Sequence, residues 1–402
     1  MAVLADLPPE LILIITLFLT REILLPDLDQ PGTLVLVPDL PSISAISRTN
    51  TIFHCTLNRT LYKLCAKVKR LGELALLFAV QHELGSTVDK LVAAGVSLNA
   101  EFRFINNQRC GLLHIAAATG LRDMVAKLLG MYGKDVIAAM HAHDGNGKTA
   151  LDYAASDEDL VMVMLLAPLN CGGNNDIPPT ISDEHKQYLS HALVESASVG
   201  HLAISRYLVT VGGDVNFRQP SLPTPLYQAT GTENLELVQF LLAAGANPDL
   251  EGQPGMLPLH YAAEVADFDI VQALLAAGAD INAEDGQSCT VLAYITDVEL
   301  LRFFLNCGVD PNHEDDAGQT VMGYACSMGD GQLGKALVEV LLEFGATTVE
   351  KVDSYGETAV DITLRMGHSE IVKLLEPLVQ DPDLRLKIEL CQWWEENIGY
   401  GV

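Results

Sequence analysis

The sequence predicts an all-α protein built as an array of short helix pairs. Two observations support this fold class. Apolar residues make up 49% of the chain but aromatic residues only 6%, so the apolar content is mostly Ala, Leu and Val, which suits closely packed helices. Related strings also recur about every 33 residues, and a fixed period of about 20 to 50 residues is the signature of repeat architectures.

The repeat is clearest where the second helix of each predicted pair ends. The string LLAAGANPD at Leu241 returns as LLAAGADIN at Leu274 and as FLNCGVDPN at Phe304. Units start at residues 191, 224, 257 and 290, which are 33 apart, and further units start at 111, 149, 320 and 358. With a weak copy near Leu74, the sequence predicts about nine units.

Turn and cap residues support this organisation. Thr224 is suited to cap a helix, and Pro225 fits the next position because the first helical N–H needs no partner. Gly245, Gly278 and Gly308 follow the second helices, where a residue in the left-handed conformation ends the helix and glycine adopts it without strain. Each unit is therefore predicted to contain a turn and two antiparallel helices.

These strings resemble the ankyrin repeat family, in which T-P-L-H-x-A opens the first helix of each repeat. The resemblance covers residues 71–380 and implies an ankyrin-repeat α-solenoid. Two insertions, near 130–147 and 168–190, are expected to enlarge loops. Residues 381–402 carry both tryptophans and are expected to form a capping helix and tail, with one tryptophan packed inward.

Residues 1–70 differ from the array in charge and pattern, so they are predicted to form a separate helical module. The apolar run LILIITLFL from Leu11 to Leu19 is too short to cross a bilayer, which needs about 20 residues. Asp6 and Glu10 precede it, whereas a signal peptide has a basic segment at that place. The run is therefore expected to form a short buried helix.

The module resembles the F-box of fungal adaptor proteins: Leu-Pro precedes the first helix, and a second amphipathic segment runs from residue 39 to 65. About twenty residues separate the two segments, where the family has only a few. In that family the F-box docks on Skp1, the linker to a cullin ubiquitin ligase, and the downstream repeats hold the substrate. The resemblance implies that Skp1 would be contacted by Leu7, Pro8, Ile12, Ile15, Leu40 and Ile46.

The net charge of −28 is carried by the repeats. Residues 1–70 have a net charge of +1, whereas residues 241–357 contain 20 acidic and three basic residues. Such a field repels nucleic acid and anionic membrane surfaces. The sequence therefore favours a protein partner with a basic surface.

No motif predicts a catalytic site, a metal site or a cofactor. The string AHDGNGKT at Ala142 fits a permissive phosphate-binding loop, but Thr149 falls at the helix-opening position of a repeat, so a turn explains the string better. His141 and His143 alternate like metal ligands, but no further ligand is linked to them by spacing. His114 and His260 stand at the histidine position of the repeat and are expected to bond to loop backbone.

Candidate partner-binding residues come from two patterns. Tyr153, Tyr261, Tyr294 and Tyr324 each lie four places after the start of a unit, so stacking would align them in a column, as a recognition stripe or as framework packing. Acidic residues in the turns and at the ends of the first helices form the other pattern, which could also serve only to keep the array soluble. The predicted partner-binding set is Glu264, Asp285, Asp297, Asp315, Asp316, Tyr261, Tyr294 and Tyr324.

These features predict a substrate-recognition adaptor of an SCF-type ubiquitin ligase that is not itself an enzyme. The alternative is an ankyrin scaffold or regulator without a ubiquitin link, and an enzyme that uses the groove as its pocket is a third hypothesis. The eight cysteines are scattered without pairing or zinc spacing, which indicates a reducing compartment, the cytoplasm and/or the nucleus.

Overall fold

The structure, a computed structural model, describes residues 22–26, 34–38, 62–63, 65–66, 69–103, 109–168, 182–219, 222–252 and 255–398. It divides into two units, Met1–Pro179 and Thr180–Val402. The six predicted Skp1-binding residues, Leu7, Pro8, Ile12, Ile15, Leu40 and Ile46, lie outside the described residues. Among the described residues, no helix has both the length and the apolar character needed to span a bilayer.

The first unit contains three helix pairs in its described part, α1/α2, α3/α4 and α6/α7. The predicted loop near 130–147 is instead largely helical, because the 3-10 turn Gly133–Asp135 leads directly into α5. The helices are α1 Lys69–Gln81, α2 Gly85–Ala93, α3 Leu112–Ala118, α4 Arg122–Tyr132, α5 Val136–Met140, α6 Ala150–Ser156 and α7 Leu160–Leu166.

Two antiparallel strand pairs in the first unit depart from the all-α prediction. Strands β1 Glu22–Pro26 and β2 Leu34–Pro38 pair within the insertion that follows the LILIITLFL run. Their sequences, EILLP and LVLVP, are rich in the β-branched and large apolar residues that strands favour. The short strands β3 Glu101–Arg103 and β4 Arg109–Gly111 precede α3.

The second unit contains six pairs in its described part, with the 3-10 helix Val291–Tyr294 as the first element of the fourth pair. The first helices lie side by side, as do the second helices. The helices are α8 Asp183–Val199, α9 Leu202–Thr210, α10 Pro225–Thr230, α11 Leu235–Ala243, α12 Pro258–Glu264, α13 Phe268–Ala276, α14 Val298–Asn306, α15 Val321–Cys326, α16 Gly331–Glu343, α17 Ala359–Met366, α18 Ser369–Leu375 and α19 Pro382–Ile398.

The prediction of a loop at 168–190 is wrong for the second half of that insertion, which is helical. Helix α8 starts at Asp183, eight residues before the expected unit start at His191, and Ser182 caps it by accepting the His185 N–H. No Thr-Pro pair interrupts the sequence at 191, so nothing stops the helix from extending backwards over residues 183–190.

The predicted caps are confirmed in the second unit. Thr224 Oγ1 accepts the N–H of Tyr227, and Pro225 takes the first helical position. Gly245, Gly278 and Gly308 have φ angles of +94°, +96° and +91°, in the left-handed region that closes a helix. The Thr-Pro and Gly signals therefore located these helix ends correctly.

Neighbouring repeats of the second unit are linked by a recurring hydrogen bond, in which a polar side chain eight residues before several of the unit starts accepts a backbone N–H of the next repeat. Asn216 Oδ1 accepts from Asn247 N at 2.7 Å, and Asn312 Oδ1 accepts from Thr347 N at 2.7 Å. Glu350 makes the same kind of bond to Asp381 N at the last step. Because buried apolar side chains of consecutive pairs also interlock, each repeat depends on its neighbours for stability.

The C-terminal helix α19 covers the last pair, as the prediction of a cap requires. Leu384 and Ile388 are buried in it, with 4% and 1% of their surface exposed. The inward-packed residue is not Trp393, which is about half exposed, and the side chain of Trp394 lies outside the described residues. Lys387 also bonds to Asp361 of the preceding first helix at 2.5 Å.

Candidate functional site

The turns that precede the first helices are organised by an aspartate. In the turn before Thr320, Asp315 Oδ1 accepts backbone N–H bonds from Ala317 and Gln319, both at 2.8 Å. An aspartate that accepts from nearby backbone N–H groups fixes a tight turn. The same two bonds are made by the aspartates five residues before Thr149, Thr290 and Thr358, which are Asp144, Asp285 and Asp353.

A tyrosine nine residues later uses the second oxygen of three of these carboxylates. Tyr324 donates its hydroxyl to Asp315 Oδ2 at 2.6 Å, and Tyr294 donates to Asp285 Oδ2 in the same way. Burial, followed by this bond, raises the pKa of Tyr324. Tyr153 donates to its own turn, to Asp144 at 2.5 Å. Of the two roles that the sequence allowed for these tyrosines, the structure favours framework packing. Asp285 and Asp315 likewise hold their turns in addition to carrying charge.

Tyr261, the other member of the predicted tyrosine column, is held differently. Gly252 occupies the aspartate position of its turn, so no carboxylate faces the hydroxyl. The ring stacks on Tyr227, with centroids 5.0 Å apart and planes inclined by 18°. A Cβ on Gly252 would lie 2.3 Å from the Tyr227 ring, so only glycine fits beside this stack. Tyr261 is half-buried, its ring edge and hydroxyl lie against Gly231, and the hydroxyl makes no hydrogen bond within the described part of the chain.

The other predicted acids divide into exposed and structural residues. Glu264, at the end of α12, and Asp316, in the turn before Thr320, are exposed, and within the described part of the chain their carboxylates accept no hydrogen bond. Asp297 was expected near the end of a first helix. It instead caps α14 by accepting the Leu300 N–H at 2.8 Å, because this unit is three residues shorter than its neighbours.

The phosphate-loop reading of residues 142–149 finds no geometric support. Thr149 donates its hydroxyl to buried Asp152 at 2.8 Å, and Asp144 takes the backbone N–H groups of Asn146 and Lys148. The groups that would bind phosphate are thus used within the turn, and a carboxylate stands where an anion would sit. His114 bonds to the backbone carbonyl of the next loop, Ala142, at 3.0 Å, as its position predicts.

The cavities of the described residues are poorly suited to a small molecule. One of about 30 Å³ lies between α17, α18 and α19, and one of about 10 Å³ lies beside the 3-10 helix Val291–Tyr294. A wide, open cleft of about 510 Å³ in the first unit is lined by acids such as Asp123, in the first turn of α4, and Asp157, after α6. Among the same residues, no group of three or more His, Cys, Asp or Glu side chains is placed to hold a metal ion.

Residues 182–398 contain ten Lys and Arg and 34 Asp and Glu. All ten cations contact a group of the same chain. Eight form ion pairs with carboxylates, such as Arg302 with Glu343 and Arg218 with Glu251, Arg206 lies over the Phe240 ring, and Arg385 donates to a carbonyl. The sequence count predicted an acidic surface, but only the structure shows that its few cations are already engaged.

Comparison with known families identifies the repeats. Three overlapping or adjacent stretches, residues 113–219, 193–285 and 291–385, match the family model for ankyrin repeats (3 copies), and together they span about two thirds of the chain. The chain belongs to the ankyrin repeat family. A protein-binding role follows from this membership, because stacked repeats present extended surfaces for partners.

A solved structure similar to this chain is the human ASB11 ankyrin repeat domain. The two share 23% sequence identity, with a TM-score of 0.42, over 55% of this chain and 90% of that chain. No curated protein matches the chain.

Proposed function

We propose that this ankyrin protein is a recognition adaptor whose repeats bind a basic protein surface and which performs no chemistry itself. The observation that supports this most directly is the engagement of all ten cations of residues 182–398 within the chain. With 34 acids against ten Lys and Arg, these residues keep a large excess of negative charge. A partner that supplies Lys and Arg side chains would compensate this charge, and the field would speed its association.

The binding surface is proposed to include the exposed predicted acids rather than the turn aspartates. Glu264 and Asp316 are exposed and their carboxylates accept no hydrogen bond in the described structure, and the half-buried Tyr261 adds an aromatic surface. Asp285 and Asp315 contribute charge but hold their turns, so removing them would disturb the fold as well as the surface.

A charge-reversal experiment tests this proposal. Purified full-length protein is presented with two pools of 15-residue peptides that are random except for five fixed positions, which are Lys in one pool and Glu in the other. We expect retention of the Lys pool only, with weaker retention as salt rises from 50 to 200 mM. The variant Glu264→Lys/Asp316→Lys should reduce retention about tenfold or more.

The matched control reverses two exposed acids at the starts of second helices, Glu236→Lys/Asp269→Lys, and makes the same change in net charge. It should reduce retention much less, because these acids lie away from the turns and first helices. Equal loss in both variants would show attraction by net charge alone, and equal retention of the Glu pool would refute the proposal.

The link to a ubiquitin ligase is a finer proposal that rests on the F-box resemblance of residues 1–70. In it, Leu7, Pro8 and the other named apolar residues dock on a Skp1-like linker, and the array holds the substrate in the cytoplasm or nucleus. Co-purification of the full chain with Skp1 tests it, with Leu7→Ala/Pro8→Ala as the variant.

Wild type should form the complex and the double variant should lose it. Lys-pool retention serves as the control that the repeats of the variant are intact. Failure of wild type to bind Skp1, or equal recovery of both proteins, would leave an ankyrin scaffold without a ubiquitin link, which is the alternative that the sequence also allowed.

A further inference from the structure

The unit that starts at Thr290 is shorter than its neighbours at one place. Seven positions separate Thr290 from Asp297, which caps the following helix. Ten separate the equivalent residues of the adjoining units, which are Leu257 and Asp267, and Thr320 and Asp330.

The three missing residues leave a gap in the row of first helices. The first helix of this unit is reduced to the 3-10 turn Val291–Tyr294, after which Ile295 and Asp297 are extended. The turn packs between α12 and α15, which both continue further. The space bounded by residues 264–266, 327–329 and 295–296 is called the notch.

The notch has an apolar floor. Ile295 is buried, and it lines the cavity of about 10 Å³ together with Leu301, Tyr324 and Met328. On the α12 side Val265 is 39% exposed. The cavity is too small to hold a side chain, so an added apolar group would instead lie above the buried floor, against the exposed Val265 and Thr296.

The rim of the notch is acidic. Glu264 and Asp297 are both exposed beside it. No Lys or Arg occurs between Arg218 and Arg302, a stretch of 83 residues that contains 12 acids. Arg302 itself is paired with Glu343 at 2.5 Å. An apolar recess of this kind is matched by a partner that combines an apolar side chain with flanking cations.

We propose that the notch is the anchor site of the partner, which inserts a Leu, Ile or Met side chain from a segment with Lys or Arg on either side. The apolar side chain contacts Val265, Thr296 and Met328, above the buried Ile295, and the cations face Glu264 and Asp297. Central, desolvated anchors dominate the energy of protein interfaces, and charged rims add specificity. This inference rests on the proposed function, since it names the kind of segment that the acidic surface recognises.

Selection from a random 15-residue peptide library on immobilised full-length protein tests the inference. We expect wild type to enrich peptides with one aliphatic position within three residues of Lys or Arg. In the best peptide, replacing the aliphatic residue by Ala should weaken binding about tenfold or more in fluorescence anisotropy.

Two variants locate the effect. Thr296→Trp places a large ring in the notch at an exposed residue and should erase the aliphatic preference while keeping the Lys/Arg preference. Asp297→Asn keeps the helix cap, since Asn caps as well as Asp, but removes a rim charge and should weaken the flanking cation preference. Thr210→Trp, at an exposed threonine of α9, is the matched control and should behave as wild type.

The other possible results would refute either the anchor site alone or the proposed function as well. If wild type selects Lys and Arg without an aliphatic position, or if Thr296→Trp retains that position, the notch is not the anchor site and the proposed function survives. If wild type shows no preference for Lys and Arg, the proposed function fails as well. Melting temperatures of the variants close to that of wild type confirm that these effects are not unfolding.

Discussion

The turns before Leu257 and before Thr320 occupy the same place in their repeats but are built differently. The second is held by Asp315, whose carboxylate binds two backbone N–H groups and the Tyr324 hydroxyl. The first has Gly252 at the aspartate position, and its tyrosine stacks on the ring of the preceding repeat instead. The tyrosine at this position therefore donates a hydrogen bond in one repeat and stacks on a neighbouring ring in the other.

This difference shows that the place of a residue in a repeat does not fix its role. The residue nine positions earlier decides whether the tyrosine hydroxyl is used inside the fold. Where an aspartate stands there, as for Tyr294 and Tyr324, the hydroxyl is engaged and its pKa is raised by burial and by the carboxylate. Where Gly252 stands, the Tyr261 hydroxyl makes no hydrogen bond within the described part of the chain.

The largest effect is expected from Asp315→Ala. The change removes two backbone N–H bonds, the Tyr324 hydroxyl bond and a weak thiol contact from one half-buried carboxylate, and it should lower the free energy of unfolding by about 2 to 3 kcal/mol. Urea denaturation followed by circular dichroism measures it, and hydrogen exchange of the amides of Ala317 and Gln319 reports the turn itself.

Asp316→Ala is the control for that change, because it is the adjacent exposed acid without a hydrogen bond in the described structure. It should alter stability by less than about 0.5 kcal/mol. Comparable losses in both variants would mean that the turn does not depend on the Asp315 carboxylate.

Gly252→Ala tests the other turn. The new Cβ would lie 2.3 Å from the Tyr227 ring, so the stack must shift, at a cost of about 1 to 3 kcal/mol. Gly329→Ala places a Cβ where no atom lies within 4 Å and should be close to neutral. A stability of Gly252→Ala equal to that of wild type would contradict the close approach of the turn to the stacked rings.

Removing single hydroxyl groups compares the two turns most simply. Tyr324→Phe leaves Asp315 Oδ2 with only the weak Cys289 thiol at 3.9 Å as a donor and should cost about 1 kcal/mol. Tyr261→Phe removes a hydroxyl that the fold does not use and should leave stability unchanged. Thermal unfolding of both variants in the same buffer measures the difference, and equal costs would erase the distinction between the turns.

The smallest effect is a gain in stability. Ser288, in the turn before Thr290, has a φ of +59°, in the left-handed region where glycine is preferred, and glycine stands at the equivalent place in Gly318 and Gly356. Ser288→Gly should stabilise the protein by up to about 1 kcal/mol. A loss of stability would show that the serine side chain supports this turn.

The sequence predicted the regular parts of this fold because they depend on local chemistry. Thr224 and Pro225 mark a helix start and Gly245 a helix end through their own backbone preferences. The extension of α8 over residues 183–190 was missed because the predicted start at residue 191 came from the 33-residue spacing, whereas the helix begins after its Ser182 cap. Strands β1 and β2 were missed because the helical period of the array does not extend to them.

The candidate surface was only partly predictable for a different reason. Charge and column position follow from the sequence, and they correctly marked Glu264 and Asp316 as exposed acids. The engagement of Asp285 and Asp315 by their turns depends on partners up to nine residues away in a folded loop. Asp297 was misplaced because a fixed count of positions from Thr290 does not hold where three residues of the unit are missing.

Hydrogen exchange of the full-length protein with and without the best library peptide shows which face of the array binds. We expect slower exchange on binding in the turns and first helices around the notch, within residues 257–266, 291–300 and 314–328. Protection confined to the second helices, such as α11 and α13, or no protection at a saturating peptide concentration, would contradict the claim that this acidic face binds a basic partner.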